Sequence, residues 1–180
     1  MGNLYKGVQL MKKRVIRFFT NYDKEEQWLN EMAAQGWHLM DYVWGRYLFQ
    51  KGKPGEYIYR IQLLENPIDH KDSAAYLEFL EEAGIETVAS SLRWVYLRKK
   101  AAEGPFELFS DRESRIAHYQ RIILMLLPLA IVNLLFGLRI FSDDRAISVL
   151  NLAAAAAMAI PITRYRKKIA KLERERLIRE

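Results

Sequence analysis

The 180-residue chain has no cysteine. That excludes disulfides, thiolate zinc sites and cysteine nucleophiles, and it fits a reducing compartment. Histidine is scarce too: His38, His70 and His118 fall on separate elements, and none stands at metal-ligand spacing from a partner. No glycine-rich phosphate loop, Gly-x-Ser-x-Gly elbow or His-Glu-x-x-His pair occurs. The opening residues, MGNLYKGVQLMKKR, lack the apolar core of a signal peptide. Gly2 does not begin a myristoylation signal, because Lys6 stands where Ser or Thr is required. The sequence thus offers no catalytic residues, no metal site and no cofactor motif, and the chain is read as a non-enzyme.

Two later stretches lack charge. Ile122 to Leu138 and Ile147 to Ile162 contain no Asp, Glu, Lys or Arg. As helices each covers about 24–26 Å, the short end of a bilayer span. A water-facing helix of that length carries polar residues along its outer stripe. Arg112, Arg115 and Arg121 precede the pair, and Arg164, Arg166, Lys167, Lys168 and Lys171 follow it. The connection instead offsets Arg139 and Arg145 with Asp143 and Asp144. The positive-inside rule then predicts a transmembrane hairpin over residues 122–162 with both termini cytoplasmic. Asn133 and Asn151 lie at similar depth in it and are expected to face the seam between the two helices, where Ala153 to Ala157 allow close approach.

The formal net charge of +6 invites a nucleic-acid reading until it is divided. Residues 1–104 hold 15 Lys/Arg against 14 Asp/Glu, whereas residues 105–180 hold 13 against 8. The excess lies beside the apolar stretches, where it can meet anionic lipid head groups. The lipid bilayer is therefore the favoured partner and nucleic acid a disfavoured one.

Residues 1–11 read as a flexible tail, 12–104 as a compact cytosolic domain, 105–121 as a juxtamembrane helix and 163–180 as a basic cytosolic helix. Within the domain, KRVIRFFT reads as a strand. Asp23 and Glu26 form a capping-box pattern, Trp28, Leu29, Met32 and Ala33 make a helical stripe, and Gly36 ends the helix. Trp37 to Lys51 reads as one long strand bent at Gly45, and YIYRIQLL as another. His70 to Gly84 repeats the helix and Glu86 to Lys99 the long strand. Displacing the chain by 48 residues lays WLNEMAAQG on YLEFLEEAG, with Gly36 on Gly84. The resulting β-α-β-β-α-β order predicts an α+β, ferredoxin-like domain with one four-stranded sheet and both helices on one face.

The carboxylates Glu25, Glu26, Glu31, Glu78, Glu81 and Glu82 read as solvated helix faces. Arginines within strands are the better clue. Strand alternation places Arg60 opposite Tyr59, and the repeat gives Arg17 the same face. With Arg46, Arg93 and Trp94 they are candidate ligand-binding residues on an open sheet face, suited to a flat anion, a carboxylate or stacked bases. The competing reading is that the chain after Gly104, or a second copy of the domain, covers this face and pairs the arginines with acids.

The runs FFTNYDKEEQWLNEMAAQGWHL, YLFQKGKPGEYIYRIQLLE, GIETVASSLRWVYLRKKA and FELFSDRESRIAHYQRI resemble the bacterial family of domains of unknown function 2812 over about residues 12–121. The resemblance implies a bacterial cell membrane, a regulatory or stress-response setting beside PadR-type regulators, and no assigned catalytic residues. The expectation is a membrane-anchored regulatory or sensory protein that binds a small ligand, a regulatory protein or a second copy of itself. The alternatives are a nucleic-acid-binding protein and a membrane enzyme or transporter accessory protein.

Overall fold

The structure, a computed structural model, describes residues 11–109, 111–138 and 144–177. Most of the expected N-terminal tail, and Arg139 and Asp143 of the connection, lie outside the described residues. Two compact units divide between Leu108 and Phe109.

The first unit runs β1 (Lys12–Ile16), α1 (Tyr22–Ala34), β2 (Trp37–Val43), β3 (Arg46–Lys51), β4 (Tyr57–Leu63), α2 (Lys71–Glu82), β5 (Ile85–Ser91) and β6 (Trp94–Lys100). This is β-α-β-β written twice. The first copy forms an antiparallel sheet of order β1-β3-β2 and the second one of order β4-β6-β5. The repeat at 48 residues is real in detail. Gly36 and Gly84 both end their helices at φ +78°, and the pairing register slips between Leu39 and Asp41 and again between Thr87 and Ala89.

The single four-stranded ferredoxin-like sheet is not what forms. Each expected long strand folds back as a hairpin, at Trp44-Gly45 and at Leu92-Arg93, which gives six strands in two sheets. Trp44 (φ 47°) and Leu92 (φ 56°) occupy left-handed positions that glycine or asparagine normally fill. The helices do not share a face either. One cluster joins Trp28, Leu29, Met32 and Ala33 of α1 to Leu39, Tyr47 and Phe49 of the first sheet and to Tyr59, Ile61 and Tyr96 of the second. A separate cluster sets Leu80 of α2 and Phe106 against Val95 and Leu97, on the other side of the second sheet. The segment after Gly104 therefore packs with the domain through Phe106 and Leu108. The cap of α1 is Asn21, whose Oδ1 accepts the Asp23 N–H at 3.0 Å, in place of the expected Asp23.

The second unit consists of α3 (Arg112–Gly137) and α4 (Arg145–Leu177). Asp111 caps α3 by accepting the Ser114 N–H. Both helices are long and apolar enough to cross a membrane, and only 11% and 22% of their most apolar windows are buried. Core helices of a soluble protein are mostly buried, and these leave Leu124, Val132, Val149 and Leu150 bare. The two pack together along Tyr119, Ile122 and Gly137 of α3 and Ser148, Ala155, Ile162 and Tyr165 of α4. At Gly137 a Cβ would meet the Leu152 side chain at 2.7 Å, so the approach there is close.

Candidate functional site

The apolar stripe of α1 contains one acid. Glu25 precedes Trp28, Leu29 and Met32 by three, four and seven residues, so it shares their face, and it is only 8% exposed. The helix drives it into the core because the neighbouring large side chains must bury there. Tyr47 of β3 and Tyr96 of β6 both donate to its Oε1, each at 2.7 Å. One carboxylate oxygen thus ties the middle strand of the first sheet to the middle strand of the second. Reading this acid as a solvated face was wrong, and the signal that places it correctly is its own spacing to Trp28 and Met32.

Aromatic rings surround the three groups. Tyr42 lies with its ring centroid 4.8 Å from that of Tyr47 and 4.5 Å from that of Tyr96, and it is half-buried. Trp28 packs edge-on to Tyr47 at 4.8 Å, and Phe19 tilts against Trp28 at 5.4 Å. Burial pushes the Glu25 carboxyl above its ordinary value, and the two phenol hydrogen bonds oppose that rise only in part. Both phenols are raised as well, first by burial and then by the carboxylate beside them.

Glu26, the next residue, faces elsewhere. Its Oε2 accepts the Ile61 N–H at 2.9 Å and its Oε1 stands 3.4 Å from Arg60. Burial raises this carboxyl too, against the lowering effects of that hydrogen bond and of Arg60.

The expected arginine face is dispersed. Arg17 is exposed, with its guanidinium 4.8 Å from the Phe19 ring and 5.1 Å from the Trp28 ring. Arg60 pairs with Glu26 of α1, and its guanidinium lies 5.8 Å from the Phe106 ring of the segment after Gly104. Arg93 donates to the carbonyls of Leu64 and Glu65 and so fastens the end of β4. Trp94 packs on Tyr22 at 5.8 Å. Arg46 is exposed too, and with Arg14, Asp41, Val43, Tyr47 and Leu48 it lines a shallow pocket of about 240 Å³. In the second unit Asn133 and Asn151 are half-buried and donate to their own helices, at Leu129 and Ile147. Neither amide crosses the seam to the other.

Residues 21–131 match the profile of a family described as "Protein of unknown function (DUF2812)". No curated protein and no solved structure matches the chain.

Proposed function

We propose a function from this premise: the chain belongs to the DUF2812 family, and its buried carboxylate is a reading site rather than a reaction site. In this reading the first unit is a cytosolic sensory or regulatory domain that binds a small molecule around Glu25. The hairpin of α3 and α4 holds it at a bacterial cell membrane, with both termini in the cytoplasm. Support for the anchor comes from the bare apolar surfaces of the two helices and from the basic residues on their outer flanks. The observation that carries the function is the Glu25 carboxylate held by one phenol from each repeat. Its immediate neighbours are phenols and aromatic rings, which recognise a ligand without supplying a nucleophile or a metal to transform it. A ligand seated there touches both sheets, so its arrival is transmitted to both halves of the domain.

The test is native mass spectrometry of the intact chain purified in mild detergent. One small molecule per chain is expected, and it should be lost from the Tyr47→Phe/Tyr96→Phe double variant while circular dichroism shows that variant folded. A wild-type chain that carries nothing, and that no fraction of a cell metabolite extract stabilises against heat, refutes the reading.

A further inference from the structure

The ligand class can be taken further, resting on the site just proposed. Glu25 is a carboxylate 8% exposed, and among the described residues no Lys, Arg or His forms an ion pair with it. Glu26, one residue on, has Arg60. Both phenols donate to the same oxygen of Glu25, Oε1, and among the described residues Oε2 accepts no hydrogen bond. A buried carboxylate without a countercharge is costly to the fold, and a protein that needed only a structural link between two phenols would do better with a neutral group. The charge is therefore available to something that is not part of the chain.

The surroundings select its sign. Aromatic rings present negative faces, and the rings of Tyr42, Tyr47 and Tyr96 stand within 4.8 Å of one another in two successive contacts beside the carboxylate. The same aromatic cluster already accepts a cation, since Arg17 lies over Phe19 and Trp28. An anion would be repelled by both the carboxylate and the rings. A neutral molecule would gain from the rings alone and leave the charge uncompensated. Tyr42 is the half-buried ring in contact with both buried phenols, so it is the one whose displacement opens the site.

We infer that the domain binds an organic monocation with an aromatic body, its positive centre on the Glu25 carboxylate and its rings among Tyr42, Tyr47 and Tyr96. The positive centre takes the place of a buried countercharge, and the apolar body replaces the packing that Tyr42 gives up on moving.

Three probes of similar phenyl shell and different charge test this: tetraphenylphosphonium, tetraphenylborate and neutral triphenylphosphine oxide. Each is titrated into the full chain in non-ionic detergent, with tryptophan quenching and thermal shift as readouts. Wild type is compared with Glu25→Gln, which keeps the acceptor for the phenols, and with Tyr42→Leu, so that partition into detergent cancels. Tetraphenylphosphonium should bind and raise the melting temperature, with affinity falling roughly tenfold or more in Glu25→Gln and less in Tyr42→Leu. Should Glu25→Gln not fold, Glu25→Asp, which retracts the charge by one methylene, must weaken tetraphenylphosphonium while leaving triphenylphosphine oxide unchanged. Equal affinity of wild type and variants for tetraphenylphosphonium overturns the inference. Binding of tetraphenylborate or triphenylphosphine oxide alone, sensitive to Tyr42→Leu, overturns the cation but leaves the ligand-binding domain standing. Failure of all three probes overturns the cation, and the copurified mass then decides the broader reading separately.

Discussion

Asn30 and Tyr59 exchange two hydrogen bonds: the Asn30 amide donates to the Tyr59 carbonyl at 3.0 Å, and its oxygen accepts the Tyr59 N–H at 2.8 Å. A side chain on α1 thereby does what a neighbouring strand would do for β4, the edge strand of its sheet. Glu26 continues the pairing two residues on, at the Ile61 N–H. The first repeat thus seals the edge of the second. Asn30→Ala leaves the Tyr59 N–H without its partner and its carbonyl with Arg60 Nη1 alone, at a cost of about 2 kcal/mol. A clear drop in melting temperature is expected, and an unchanged one would mean that water replaces the amide freely.

Glu25 and Glu26 both hold their protons more tightly in the fold than the ordinary carboxyl value of 4.5. Such a group contributes its full stabilisation below the unfolded value, and that contribution is lost as pH rises through the raised folded value. Glu25→Gln removes one of the two. Its melting temperature should vary less with pH than that of wild type, and near neutral pH it should equal or exceed wild type. Melting curves recorded from mildly acid to neutral buffer check the slope. A variant that loses more stability at neutral than at acid pH would reverse the assignment.

The two helix-ending glycines are not equally replaceable. Both sit at φ +78°, which costs any L-residue on the order of 1 kcal/mol. At Gly36 an added Cβ would also meet the Gly52 carbonyl at 2.7 Å, whereas at Gly84 the near atom is the end of the Glu103 side chain at 2.9 Å. Backbone cannot step aside and a glutamate can. Gly36→Ala should therefore lower the melting temperature distinctly more than Gly84→Ala. Equal losses would show that the loop at Gly52 yields.

Orientation in the membrane is checked by reporters fused before Met1, after Glu180 and within the connection at Asp143. The two terminal fusions should report cytoplasm and the internal one the opposite side, following the basic flanks. Termini on opposite sides would rule out a hairpin.

The repeat, the glycine-marked C-terminal ends of α1 and α2 and the apolar pair are legible in the sequence, because hydrophobic spacing and glycine carry them. The hairpins are not. Trp44 and Leu92 hold left-handed turns without being turn residues, so nothing local marked where the chain reverses. Without them six strands read as four. The site was missed for another reason. Glu25 reads as part of a solvated helix face among the other acids of α1, although its spacing to Trp28 and Met32 places it inside. Tyr96, its second partner, lies 71 residues away, a pairing that only the folded chain reveals.

The position 48 residues beyond Glu25 is Ser73, also buried at 5% exposure, with its hydroxyl spent on the Asn66 carbonyl at 3.1 Å. The duplicated scaffold is therefore loaded once. A hybrid built from two copies of the second half would keep the strand order and carry a serine hydroxyl where the first half has the Glu25 carboxylate. The halves have ceased to be interchangeable. In the proposed reading, recognition draws on the first half and on Tyr96, and asks of the rest of the second only that it hold that one phenol in place.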